Sequence, residues 1–160
     1  MGAGKTSKGR KLATRLGIRF ADMDEIIEEQ TGLQVQEIFQ QKGEKWFRAK
    51  ETEVLHQLGE SNEEMVISTG GGTPCFNDNM DFINSTGHSV YLQMNAEDLV
   101  NRLIKSQKPV RPLIADKTGE ELLEYVGSKL LEREPFYLKS KQVIQAENLR
   151  TKDLIAALRI

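Results

Sequence analysis

The sequence predicts an α/β protein built on a parallel sheet covered by helices. Short apolar runs alternate with longer amphipathic stretches along the chain, and strands separated by helices of about ten or more residues pair in parallel with both faces covered. Three informative segments, residues 1–6, residues 22–24 and the run Gly70, Gly71 and Gly72, fall where such sheets bind ligands, in the loops that lead from a strand to the next helix. A chain of 160 residues suits one compact domain, typically ~100–150 residues.

Residues 5–16 are read as the first helix, with Leu12, Ala13 and Leu16 on one side and Gly17 placed to stop it. A short strand follows at 18–21. The next helix covers 23–29 and ends near Thr31 and Gly32. A short helix at 35–41 precedes a longer one at 43–58, which sets Phe47, Val54 and Leu58 on one face. Residues 65–69 give an apolar strand that runs into the three glycines. A helix at 77–85, a strand at 89–93 and a helix at 96–106 come next. Residues 105–117 carry Pro109, Pro112, Arg111 and several lysines and read as a loop. The pattern ends with a helix at 119–132, a strand at 142–145 and an amphipathic helix at 151–158, for which Thr151 is the expected N-cap.

Basic residues number 22 and acidic residues 24, a net charge of −2. That balance argues against a dedicated nucleic-acid binder, while leaving room for a local cluster that holds phosphate. The longest apolar run, 154–158, falls far short of the ~20 residues a membrane span needs. The opening residues are not apolar, which argues against a signal segment. Cys75 is the single cysteine, so neither a disulfide framework nor a cysteine zinc site is available within one chain. A reducing, cytoplasmic setting is expected.

Gly2, Ala3, Gly4, Lys5 and Thr6 end in the Gly-Lys-Thr of a phosphate loop. Glycines let the backbone curl so that successive N–H groups face phosphate oxygens. The lysine adds charge, the Thr6 hydroxyl suits Mg²⁺, and the following helix aims its positive end at the same place. Asp22 offers a hard oxygen for magnesium through water. Asp24 is read either as the group that orients or deprotonates an acceptor hydroxyl or as the N-cap of the next helix. Arg48 and Glu51 share one helix face at i, i+3. They form either an ordinary surface ion pair or a fixed fork for a substrate carboxylate. Three adjacent glycines imply close approach to the main chain. Arg133 reads as a cation that favours the C-terminus of its helix.

Taken in order, these segments resemble the shikimate kinase family from Met1 to about Tyr137, with a looser fit to Ile160. The motifs are MGAGKT, Phe-x-Asp-x-Asp ending at Asp24, Glu37-Ile38-Phe39, and Gly43-Glu-x-x-Phe-Arg-x-x-Glu51. Ser68-Thr-Gly-Gly-Gly72, Val110-Arg-Pro-Leu113 and Glu132-Arg-x-Pro-x-Tyr137 complete the series. The resemblance implies ATP-dependent phosphorylation of the 3-hydroxyl of shikimate, a step toward the aromatic amino acids. The implied fold is the three-layer α/β/α P-loop kinase fold, with strand order 2-3-1-4-5, a substrate-binding helical segment at 23–59 and a lid at 105–118. It implies that Gly2, Ala3, Gly4, Lys5, Thr6 and Ser7 hold ATP, with Thr6 and Asp22 serving Mg²⁺. It further places Arg102 and Arg150 near adenine and Arg111 on the lid. Asp24, Arg48, Gly70, Gly71, Gly72 and Arg133 are implied to bind shikimate, and Lys5, Asp24 and Arg111 to act in the transfer. The expected partners are these two small molecules, with no nucleic acid or membrane, and the expected state is a monomer.

The first strand of that sheet and the first glycine of the full phosphate-loop pattern would fall ahead of Met1. Loss of about five buried strand side chains removes on the order of 10 kcal/mol, against a domain stability of ~5–15 kcal/mol. The expectation is therefore that the natural chain starts upstream. The competing expectations are a related small-molecule kinase, such as a gluconate kinase, or an inactive truncated remnant.

Overall fold

The computed structural model describes residues 2–105 and 119–158. Helix α1 (Lys5–Leu16) leads into strand β1 (Arg19–Asp22), helix α2 (Met23–Thr31) and the long helix α3 (Val35–Gly59). Strand β2 (Met65–Ser68), a single 3-10 turn (Thr73–Cys75) and helix α4 (Asn79–Thr86) follow. Then come β3 (Val90–Gln93), α5 (Ala96–Lys105), α6 (Gly119–Tyr137), β4 (Gln142–Gln145) and α7 (Thr151–Leu158). The strands pair in parallel as β1 with β2 and β3 with β4. The α/β class with parallel pairing thus stands, as two two-stranded sheets among the described residues.

Each pair has its own apolar cluster. Ala21, Met23, Ile27, Ile38, Phe47, Val54 and Leu55 pack together beside β1 and β2. Ala3, Met94, Leu99, Val100, Leu122, Val126 and Ala146 form the second cluster beside β3 and β4. The phosphate-loop residue Ala3 thus roots its loop in the second cluster, while α1 reaches β1, β2 and α7.

The helix stops follow from backbone chemistry. Gly17 and Gly32 close α1 and α2 in the left-handed conformation, at φ 71° and 68°, which only glycine adopts without a Cβ penalty. Gly43 is non-helical at φ 81° and ψ 168°, so α3 is the two expected helices meeting at a kink.

Four expectations need correction. Asp24 does not cap α2; the helix begins two residues earlier than that reading requires, and Asp22, still extended, accepts the Asp24 N–H at 3.1 Å. Thr151 lies inside α7, whose first turn is capped by the Asp153 carboxylate accepting from Arg150 N–H at 3.2 Å. Helix α6 continues past 132 through Pro135 to Tyr137, so Arg133 is an interior residue with four further helical residues beyond it. Pro135 has no N–H for the carbonyl of residue 131 and its ring crowds that carbonyl, at a place where Leu131 is 77 % exposed. Asn77 and Asp78 adopt positive φ ahead of α4, which delays that helix to Asn79.

Candidate active site

Asp22 and Ser68 are opposite partners at the carboxyl ends of β1 and β2. Everything that follows them, Asp24 on one side and the three glycines on the other, opens from the same edge of the sheet. Asp22 is buried, and its Oδ2 accepts the Thr6 hydroxyl at 2.8 Å while Oδ1 accepts from Asp24 N–H. The structure therefore brings together the two residues that the sequence singled out for magnesium. Gly2 and Gly4 stand at φ 75° and 80°, and Gly4 precedes the first turn of α1, where its carbonyl accepts from Lys8 N–H at 2.9 Å. That left-handed pair curls the backbone ahead of Lys5 and Thr6, the shape an anion cradle requires. Ser7 points outward on α1.

Arg48 and Glu51 are not a surface pair. Their side chains are 12 % and 2 % exposed, with Nη1 donating to Oε2 at 2.5 Å. Glu44 accepts from Arg48 Nε and Nη2 at 3.2 and 3.0 Å. The Phe76 ring faces the guanidinium carbon at 4.4 Å, and the Phe47 and Phe39 rings lie at 5.4 and 5.7 Å. Burial works against the Arg48 charge, yet the bonds and charges of Glu51 and Glu44 outweigh it and hold its pKa above the ordinary value. The other Glu51 oxygen accepts the buried Thr73 hydroxyl at 2.6 Å, and Asn79 Nδ2 donates to Thr73 O at 2.9 Å.

The glycine run is required by what surrounds it. A Cβ on Gly70 would stand 2.5 Å from Glu51 Oε1, 2.9 Å from Thr73 Oγ1 and 3.4 Å from Asp24 Oδ1. A Cβ on Gly72 would stand 2.8 Å from the Arg48 Cζ. The Gly71 carbonyl accepts from the Tyr137 hydroxyl. Arg133 reaches the same place from α6: the charges of Arg48 and Arg133 both act on Cys75 and on Tyr137. Asp24, Arg48, the three glycines and Arg133 thus converge from α2, α3, the loop after β2 and α6.

A family model described as shikimate kinase matches residues 1–159. This chain belongs to the shikimate kinase family. It is 43 % identical over 157 residues to a shikimate kinase of Phocaeicola vulgatus, covering 98 % of this chain and 89 % of the relative. A shikimate kinase of Parabacteroides distasonis is also 43 % identical, over 95 % of this chain and 87 % of its own. Among solved structures, the shikimate kinase of Bacteroides thetaiotaomicron superposes with a TM-score of 0.95 at 38 % identity, covering 100 % of this chain and 94 % of that one. The shikimate kinase of Acinetobacter baumannii in complex with shikimate gives 0.85 at 34 % identity, over 99 % and 89 %.

On the other side of the family's phosphate loop, Arg102 extends from α5 and donates to Ala3 O at 3.4 Å and Ala146 O at 3.5 Å. Lys8 Nζ donates to Leu149 O at 2.6 Å, and both side chains flank Gly4. Burial lowers the Lys8 pKa, and the neighbouring Arg102 and Lys11 charges lower it further. Arg150 is exposed and forks onto Asp153 at 2.8 and 3.2 Å. Arg111 and most of the 105–118 segment lie outside the described residues.

Sequence reasoning missed Thr73, Phe76, Lys8 and Tyr137. Tyr137 had a signal, since it sits in the quoted motif one helical turn beyond Arg133. Thr73 and Phe76 had none, because their contacts come from a helix more than twenty residues away in the chain. No helix among the described residues is long and apolar enough to cross a membrane.

Proposed function

We propose that this chain transfers the γ-phosphoryl group of ATP to the 3-hydroxyl of shikimate, giving shikimate 3-phosphate and ADP. One observation carries the reading beyond family membership: two arginines and an aspartate converge on a glycine run where a Cβ at Gly70 or Gly72 would crowd Glu51, Thr73 or Arg48. Two guanidinium groups meet a carboxylate with directed hydrogen bonds, and Asp24 beside them accepts from a ring hydroxyl. The ligand called for is a small hydroxylated carboxylic acid, and the family supplies its name.

ATP is the second substrate, held by Gly2, Ala3, Gly4, Lys5, Thr6 and Ser7, with Arg102 and Arg150 toward the base. The donor chemistry fits magnesium. No group of three or more His, Cys, Asp or Glu side chains among the described residues could cage a metal, and Mg²⁺ is held by one or two protein oxygens together with water and phosphates. Thr6 and Asp22 would hold it, and it would supply positive charge to the phosphates. The chain's own contribution is positional. Asp24 orients the acceptor hydroxyl and takes its proton, Arg48 and Arg133 fix the acid, and Lys5 neutralises phosphate charge. Phosphoryl transfer depends on such placement more than on covalent help.

The finer topology belongs to the same proposal. The pairs β1–β2 and β3–β4 are the two flanks of one sheet in the family's order 2-3-1-4-5, in which β1, β2, β3 and β4 take the family's second, third, fourth and fifth strands. The half-exposed β2 residues Met65, Val66 and Ile67 and all four β3 residues support this, since a central parallel strand is buried on both faces.

ADP release in the presence of shikimate, gluconate or neither tests the function. Release that depends on shikimate supports it; release with gluconate alone, or with neither acid, overturns it.

A further inference from the structure

Tyr137 ends α6 one turn beyond Arg133, and its hydroxyl donates to the Gly71 carbonyl. The Arg133 charge acts on that same phenol. A carbonyl can only accept, so the one proton of the phenol goes to Gly71. The Tyr137 ring is held independently. It lies 5.0 Å from the Tyr91 ring, and the Tyr91 hydroxyl donates to Glu134 Oε1 at 3.2 Å. Gln93 Nε2 donates to the same Glu134 oxygen at 3.0 Å. Strand β3 therefore anchors the last turn of α6, and one hydroxyl joins that turn to the glycine run. Burial raises the Tyr137 pKa, against the opposing pull of Arg133, so the phenol keeps the proton it donates.

We propose that Tyr137 is a positioning residue whose hydroxyl docks the C-terminal end of α6, which carries Arg133, on the Gly71 carbonyl, and so sets the affinity for the acid substrate. The proposal rests on the reading that Arg133 and Gly71 bind that acid. The ring supports packing; the hydroxyl is the part that reaches the site. A purely structural tyrosine would affect both substrates together through loss of folded protein, whereas this one acts on a single substrate.

Tyr137→Phe keeps the ring and removes the hydroxyl. The expected result is a roughly tenfold rise in KM for shikimate, the order of one neutral hydrogen bond, with KM for ATP and kcat within about twofold. In an Arg133→Lys background the same substitution should add almost nothing, because coupled residues are non-additive. An unchanged shikimate KM in Tyr137→Phe, or equal rises for both substrates, overturns the proposal. If Arg133→Lys alone leaves the shikimate KM unchanged, the underlying reading of Arg133 fails and takes the proposal with it. Should Phe at 137 cost the fold, 3,5-difluorotyrosine there preserves shape while acidifying the phenol. The groups facing that phenol are Arg133, Arg48, Cys75 and, through Tyr91, Glu134. Shikimate KM must then climb from about pH 7 to about pH 9, below the ~10 of an ordinary tyrosine, while the unmodified enzyme stays flat. Identical profiles overturn the proposal.

Discussion

Gly72 lies against the guanidinium of Arg48, so close that a Cβ there would stand 2.8 Å from Cζ. Arg48 cannot yield easily: Glu51, Glu44 and three phenyl rings hold it. Gly72→Ala must therefore push the arginine, the glycine loop, or both. Misplacement of a positioning group by about 1 Å costs up to ~100-fold. The expected outcome is a ten- to hundredfold loss in kcat/KM for shikimate, with KM for ATP little changed. Steady-state kinetics with each substrate varied in turn would show it, and an unaltered shikimate KM would sink the idea.

Glu51 makes a separate demand on stability. It is 2 % exposed and satisfies both Arg48 and Thr73. Removing one partner of a buried ion pair costs about 3–5 kcal/mol, because the remaining charge stays buried without compensation. Glu51→Ala should lose about that much in urea unfolding at an unchanged m-value. Glu51→Gln retains an acceptor for Thr73 and should lose less. Equal losses for the two variants would show that Arg48, not Thr73, is the partner that matters.

Much of this architecture could be read from residue order, and its failures share one cause. Gly17 and Gly32 announced helix ends because the left-handed cap is a local property of the backbone. The strand at Gln142–Gln145 and the Asp22–Asp24 and Gly70–Gly72 segments were legible because strand-to-helix loops carry chemistry in parallel sheets. The burial of Glu51 was not legible. An Arg–Glu pair at i, i+3 has the same spacing on a solvated face and in a core, and here the covering groups come from the loop after β2. The end of α6 differed in the opposite way: the helix expected to stop at 132 runs on through Pro135, held by Glu134 and Tyr137 contacts to Tyr91 and Gln93.

Lys8 ties α1 to the turn before α7, donating to Leu149 O at 2.6 Å. That turn holds Asn148 at φ 52°, a conformation that costs free energy unless its surroundings impose it. A hydrogen bond from a charged group contributes about 1.5–3 kcal/mol, of which only part reaches a ligand bound beside the turn. Lys8→Met should raise KM for ATP about three- to tenfold and leave KM for shikimate unchanged, and Lys8→Arg should restore most of the loss. A rise confined to shikimate would place the nucleotide elsewhere.

Cys75 offers a pH-dependent readout of the acid-binding side. Burial raises its pKa above the ordinary thiol value, although the Arg133 and Arg48 charges pull it down. A raised pKa means less thiolate at a given pH below it, and the thiolate is the reactive form. Alkylation by iodoacetamide should therefore run slower than that of a free cysteine at about pH 8, then climb roughly tenfold per pH unit past the ~8.5 of an unperturbed thiol. A carboxylate bound between the two arginines would cancel the field that opposes burial and cover the sulfur, so shikimate should slow the reaction further. A rate that levels off below about pH 8.5 would mean that the arginines win over burial. Alkylation indifferent to saturating shikimate would separate Cys75 from the acid altogether.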